Sequence, residues 1–257
     1  MPAAELRALI ETRVEERLGG RFPAALGWRP RPAAQMTATG IAEVDALTGG
    51  LPRGALTEVC GPGSSGRTAL LLSLLAEFTR RQELCALVDA GDCFDPISAE
   101  AAGVELERLL WVRCGKAASC RQPAASRKSN DKTLGNVEQA LRAADLVLQA
   151  GGFGLVALDL GDVPAATARR VPLTSWFRFR RAVEETPAAL LLLTQEALTG
   201  TCAALTLQLV ATAPAEAPEL PAHARLLGGF SVAVEVARSA FARRPGSGMK
   251  AAFTADL

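Results

Sequence analysis

Leu6, Leu9, Ile10, Val14 and Leu18 recur at helical spacing with Glu11, Arg13, Glu15, Glu16 and Arg17 between them. This pattern predicts an amphipathic helix over residues 4–18, stopped by Gly19-Gly20. Residues 21–35, rich in Pro, Ala and Arg, carry no period and read as a linker. From Gly40 onward, short apolar runs alternate with longer helical patterns. A helix from Ile41 to Leu47 ends at Gly49-Gly50, and a strand from Leu56 to Cys60 leads through a glycine-rich loop into a helix from Thr68 to Arg80. A strand from Leu84 to Asp89, a short helix from Asp95-Pro96 to about Ala102 and a strand from Leu109 to Val112 follow.

Residues 115–133 are small, polar and basic, and are expected to form a flexible surface loop. A helix from Leu134 to Ala150 then precedes a run from Leu155 to Leu160, apolar except for Asp159, as expected of a strand covered on both faces. A helix from Thr174 to Glu185 and a strand from Ala188 to Thr194 complete a parallel set. Leu205 to Val210, Phe230 to Val236 and residues 248–254 suggest an antiparallel flank. The expected fold is α/β, with a mostly parallel central sheet flanked by helices and antiparallel C-terminal strands. The expected organisation is a helix at 1–20, a linker at 21–35 and one core domain at 36–257.

Composition narrows the functions this fold can carry. The 257 residues have a formal net charge of +1, so any contact with nucleic acid must be local rather than a whole-surface field. The six cysteines, at 60, 85, 93, 114, 120 and 202, form no CxxC pair and have no histidine cluster beside them, so they read as reduced, mostly buried thiols. His223, the one histidine, sits in a polar stretch without metal or nucleophile partners. No apolar run reaches the roughly 18 residues of a membrane span, and no signal core opens the chain, so a soluble cytoplasmic protein without membrane contact is expected.

The candidate chemistry centres on Gly61-Pro62-Gly63-Ser64-Ser65-Gly66-Arg67-Thr68. Between a strand and a helix, this spacing makes a phosphate-binding loop whose N–H groups and helix dipole favour an anion. Thr68 offers a hydroxyl and Asp159 a strand-end carboxylate, together the pair that would face Mg²⁺. Arg67 stands where lysine is expected. A guanidinium is a wide planar fork and cannot simply replace a compact ammonium between two phosphates. It can bind phosphate bidentately, or pair internally with Asp159 or another carboxylate.

Several stretches resemble the RecA core, in order along the chain. They are Thr39-Gly40-Ile41 through Asp45, Gly49 to Gly54, Glu58 to Pro62, Ser64 to Thr68, Val88-Asp89-Ala90 with Asp95-Pro96, Gly103-Val104, Leu109-Leu110, Leu158-Asp159 and Thr194-Gln195. The resemblance covers residues 36–210 and implies an ATPase core with ATP and Mg²⁺ as cofactors. It also implies a glutamate that activates water two residues after Asp89, a position held here by Gly91. Asp92 is adjacent, but a one-residue shift on an extended segment turns a side chain the other way, so its ability to substitute is open. Gln195 matches the glutamine that couples the γ-phosphate to DNA in that family. The segment after it, Glu196 to Ala204, is short for a second DNA loop. The first DNA loop would fall at Asp162 to Thr174.

Arg178, Arg180 and Arg181 beside Trp176, Phe177 and Phe179 suit single-strand contacts, or equally an amphipathic helix with its aromatics in the core. The lost glutamate, the N-terminal helix and the short C-terminus are most similar to ImuA-type accessory proteins of bacterial mutagenic translesion synthesis. That resemblance implies an adaptor acting after DNA damage, with little or no ATP hydrolysis, no catalytic residue, and ATP/Mg²⁺ bound weakly or not at all. Its implied partners are an ImuB-type Y-family polymerase homologue, an error-prone replicative-type polymerase and single-stranded DNA. Residues 4–35 are candidates for self-association. Two competing readings are a DNA-stimulated ATPase or recombinase paralogue, and an inhibitor or adaptor of an unrelated partner such as a cell-division protein.

Overall fold

The computed structural model describes residues 35–114, 129–184, 186–216, 227–241 and 250–256. The expected N-terminal helix, most of the linker, His223 and Cys120 lie outside them. The chain divides at Ala34, and the unit from Gln35 onward is the one described here.

Its strands are β1 Met36–Thr37, β2 Leu51–Pro52, β3 Ala55–Cys60, β4 Cys85–Asp89, β5 Leu109–Arg113, β6 Leu155–Asp159, β7 Ala189–Thr194, β8 Leu205–Glu216, β9 Leu227–Ser239 and β10 Lys250–Asp256. Its α-helices are α1 Ala42–Thr48, α2 Arg67–Arg80, α3 Pro96–Ala101, α4 Ser129–Ala150, α5 Ala165–Ala168 and α6 Leu173–Glu184. β1 and β2 form a small antiparallel pair. The other strands form one eight-stranded sheet in the order β10-β9-β8-β3-β7-β6-β4-β5. It is parallel from β8 through β5 and antiparallel at β8-β9 and β9-β10, as expected.

Period-two alternation explains why the central strands read as unbroken apolar runs. Leu87, Leu155, Ala157, Ala189, Leu191 and Leu193 point into one core, with the leucines of α2 and with Phe78. Ala86, Val88, Val156, Leu158, Leu190 and Leu192 point into the other, beneath α4 and α6. Both faces of β3, β4, β6 and β7 are therefore covered. The five cysteines among the described residues are free, and all but Cys93 are buried. Burial pushes the thiols of Cys60 and Cys114 up to about 11 and that of Cys85 up to about 12, which fits inert packing groups.

Three expected boundaries move. α4 begins at Ser129, so residues 129–133 are helical rather than loop. Ser, Asn and Asp open helices as readily as they form loops, and this polar first turn has no apolar period to reveal it. The expected first DNA loop is partly helical, containing α5 and the start of α6. β8 and β9 run well past Val210 and Val236, with register shifts near Ala211/Ala213 and Ala215/Glu216. Beyond Gln208, β8 pairs with β9 alone, so the edge position tolerates Pro214.

Candidate functional site

Parallel strands bring their carboxyl ends to one edge of the sheet, where α/β proteins collect ligand-binding groups. The loop after β3, Asp89 at the end of β4, Asp159 at the end of β6 and Gln195 just after β7 all stand at that edge. Asp89 and Asp159 are register partners, as are Cys60 and Thr194.

The loop itself is shaped by close packing from behind. A Cβ at Gly61 would lie 2.4 Å from the carbonyl oxygen of Leu209, and one at Gly66 would lie 2.6 Å from Cγ2 of Val232. Gly66 also has φ +90° as the N-cap of α2, a conformation open to glycine at little cost. A Cβ at Gly63, by contrast, would meet nothing within 4 Å. Among the described residues, no acceptor takes the backbone N–H groups of Gly63, Ser64, Ser65, Gly66, Arg67 or Thr68. Ser65 is buried with its hydroxyl unpaired, and Thr68 is exposed. A run of unclaimed donors at the start of a 14-residue helix fits a phosphate group.

Arg67 turns inward. It is 9 % exposed, and Nη1 donates to the carbonyl oxygens of Gly161 at 3.0 Å and Thr194 at 2.9 Å. Gln195 Nε2 donates to the same Gly161 carbonyl at 3.1 Å. The internal pairing considered for Arg67 is therefore with main-chain carbonyls and not with Asp159. The carboxylate of Asp159 is already turned to the N–H of Gly161, 2.7 Å away. Burial pushes the Asp159 carboxyl up to about 6, helped by the nearby Asp89 and Asp162 and opposed by the Gly161 N–H and Arg67.

Next to it, Gly91 presents no side chain that could activate water, and the space beside it is partly taken by Asp162. A Cβ there would lie 3.3 Å from Cβ of Asp162 and 3.5 Å from its Oδ2. Asp92 has φ +55° and accepts two hydrogen bonds from Arg113, at 2.6 and 2.9 Å. Arg113 in turn lies over the Trp111 ring at 4.6 Å. Asp92 is thus engaged on the β5 side. Asp89 organises this turn, accepting from Gly91 N, Phe94 N and Trp111 Nε1.

The short segment after β7 is tied down from several directions. Glu58, fully buried on β3, accepts from Leu198 N at 2.7 Å and from the hydroxyl of Thr199 at 2.6 Å. Arg238 donates to the carbonyl of Gly200 and Arg180 to that of Thr201, while Arg169 pairs with Glu196. Sequence reasoning missed Glu58 as the anchor; a lone acid within an apolar strand was the available signal. Of the aromatics on α6, Trp176 and Phe179 are buried in the core and Phe177 is exposed. Among the described residues no cluster of three His, Cys, Asp or Glu side chains could hold a metal ion, and no helix is long and apolar enough to cross a membrane.

The sheet order, the glycine-rich loop after β3 and the strand-end carboxylate define an α/β protein whose loop has the spacing of a phosphate-binding loop. Its particular likeness is to RecA. Residues 7–119 match the family model of the RecA N-terminal domain. The chain is 39% identical to Protein RecA of Ectopseudomonas oleovorans over 111 residues, 43% of this chain and 26% of that protein. It is 32% identical to Protein RecA of Deinococcus radiodurans over 172 residues, 65% of this chain and 41% of that protein. It is 31% identical to Protein RecA of Marinobacter nauticus over 150 residues, 58% of this chain and 38% of that protein. The chain thus spans less than half the length of these relatives, to which it is similar in sequence.

Proposed function

We propose that this chain is a RecA-like adaptor that hydrolyses ATP very slowly or not at all and acts in damage-induced translesion DNA synthesis. The observation that carries the non-hydrolysing part is the guanidinium of Arg67, committed to the carbonyls of Gly161 and Thr194. A lysine in that position would be free to meet the β- and γ-phosphates; Arg67 serves the strand ends instead. Gly91, packed on Asp162, removes the general base as well. If nucleotide binds, Gly61 to Thr68 would hold its phosphates, Thr68 and Asp159 would face Mg²⁺, and Gln195 would lie near the γ-phosphate. Bound Mg²⁺ would neutralise phosphate charge, and the missing side chain at Gly91, together with the pairing of Asp92 to Arg113, supports slow or absent hydrolysis.

The adaptor role rests on the resemblance to ImuA-type proteins, with an ImuB-type Y-family polymerase homologue and an error-prone replicative-type polymerase as partners. Residues 4–35 are the proposed arm for self-association or partner docking. The test has two parts on the purified full chain. Phosphate release with Mg²⁺, with and without single-stranded DNA, should match that of Asp159→Ala. The polymerase homologue should co-purify with the chain. DNA-stimulated release that is lost in Asp159→Ala would establish an ATPase or recombinase paralogue instead, and failure to recover either polymerase would overturn the translesion role.

A further inference from the structure

Helix α6 buries Trp176, Phe179 and Val183 but leaves Leu173 57 % and Phe177 46 % exposed, one turn apart. Arg181 is exposed one turn further on, and Arg170 is exposed just before the helix begins. Arg178 bridges to Asp145 of α4 at 3.1 Å, so the two helices lie side by side with their outer faces turned to solvent. On the outer face of α4, Arg142 is exposed and Leu146 is 67 % exposed, with the exposed Glu138 one turn before Arg142. No described acidic residue forms an ion pair with Arg142, Arg170 or Arg181. Large apolar side chains left in water among unpaired cations mark a recognition surface.

We propose that this face of α4 and α6 docks an acidic segment of a partner protein that carries leucine- or phenylalanine-type side chains between its carboxylates. The arginines set the sign of the partner, and Leu146, Leu173 and Phe177 set its apolar content. A nucleic-acid strand would satisfy the same cations, but its bases require a series of aromatic faces. Phe177 is the one exposed aromatic on α6, because Trp176 and Phe179 are used in the core, and leucines offer no π face for stacking. The proposal goes beyond the adaptor reading and does not depend on Arg67 or on which protein the partner is.

The experiment is fluorescence anisotropy on the full chain at low salt. The probes are a labelled peptide of Leu-Glu-Glu-Leu-Leu-Glu-Glu repeats, an all-glutamate peptide of equal length, and oligo(dT). The leucine-bearing peptide should bind more tightly than the other two. Its affinity should fall about tenfold in Arg170→Glu/Arg181→Glu and about fivefold in Phe177→Ala. If the charge-reversed chain fails to fold by circular dichroism, Arg170→Gln/Arg181→Gln takes its place with the same expected direction. No binding of the peptide, or affinity unchanged by these substitutions, overturns the proposal. Tighter binding of oligo(dT) that is lost in the same variants overturns it in favour of nucleic acid.

Discussion

Arg67 and Thr194 stand 127 residues apart in the chain and meet through one hydrogen bond of 2.9 Å, from guanidinium to main-chain carbonyl. The second bond, to Gly161, spans β6 as well, so one side chain from the first turn of α2 ties together the ends of two neighbouring strands. A charged donor on a buried carbonyl contributes more than a neutral one. Arg67→Ala should therefore lower stability by about 2–4 kcal/mol, read by urea unfolding. Thr194 keeps the N–H of Gly61 and Gly161 keeps Gln195, so the protein should still fold. A loss under about 0.5 kcal/mol, the range of an ordinary surface change, would show that Arg67 is not a clamp.

Asp162 decides what a restored glutamate at position 91 can do. Its side chain lies within 3.5 Å of where a Cβ at Gly91 would project, so Arg67→Lys/Gly91→Glu sets two carboxylates against each other. Like charges that close raise a pKa and displace a side chain. Adding Asp162→Asn removes the repulsion, and phosphate release in the triple variant should exceed that of the double variant by about tenfold or more. Equal release from both folded variants would mean that the site lacks more than these two groups.

Asp159 makes stability depend on pH in a definite direction. Its carboxyl is raised from 3.8 to about 6 in the fold, first by burial, so as pH rises the unfolded chain gives up this proton before the folded one. The effect is nil below both values, grows between them, and above about 6 stands as a full penalty on the folded state. Asp159→Asn keeps an oxygen for the N–H of Gly161 and removes that penalty. It should stabilise the protein by on the order of 2 kcal/mol near pH 8, with the gain shrinking as denaturation is repeated toward pH 5. A variant less stable than the parent near pH 8 would show that Arg67 needs the Asp159 charge.

The parts legible in the sequence are those with a period or a spacing. The apolar runs at Leu155 and Ala188 and the glycines at 61 and 66 announce strands and loop because their side chains, or lack of them, do the packing. Trp176 and Phe179 obey helical spacing and sit in the core, as a period of 3.6 requires. What stays hidden depends on groups without a residue signature. The acceptors for Arg67 are main-chain carbonyls, which every residue carries. The Arg113–Asp92 pair depends on the positive φ of Asp92 and on β5 pairing with β4, and neither is written in spacing. The helical start of α4 at Ser129 is hard to see because polar residues open helices and fill loops alike.

Val232 of β9 packs closely against Gly66 in the glycine-rich loop. Its Cγ2 lies 2.6 Å from where a Cβ at Gly66 would fall, and Gly66 has φ +90°. Gly66→Ala therefore meets two separable costs, a backbone conformation that disfavours any Cβ and a steric overlap with the antiparallel flank. The single variant should lose about 2–4 kcal/mol. Val232→Ala alone opens a small void and should lose about 1–3 kcal/mol. Combined, the two should cost at least about 1 kcal/mol less than their sum, because the truncated valine makes room for the new methyl while the φ penalty remains. Strict additivity in urea unfolding would place the whole cost of Gly66→Ala in the backbone and leave β9 without a hold on the loop.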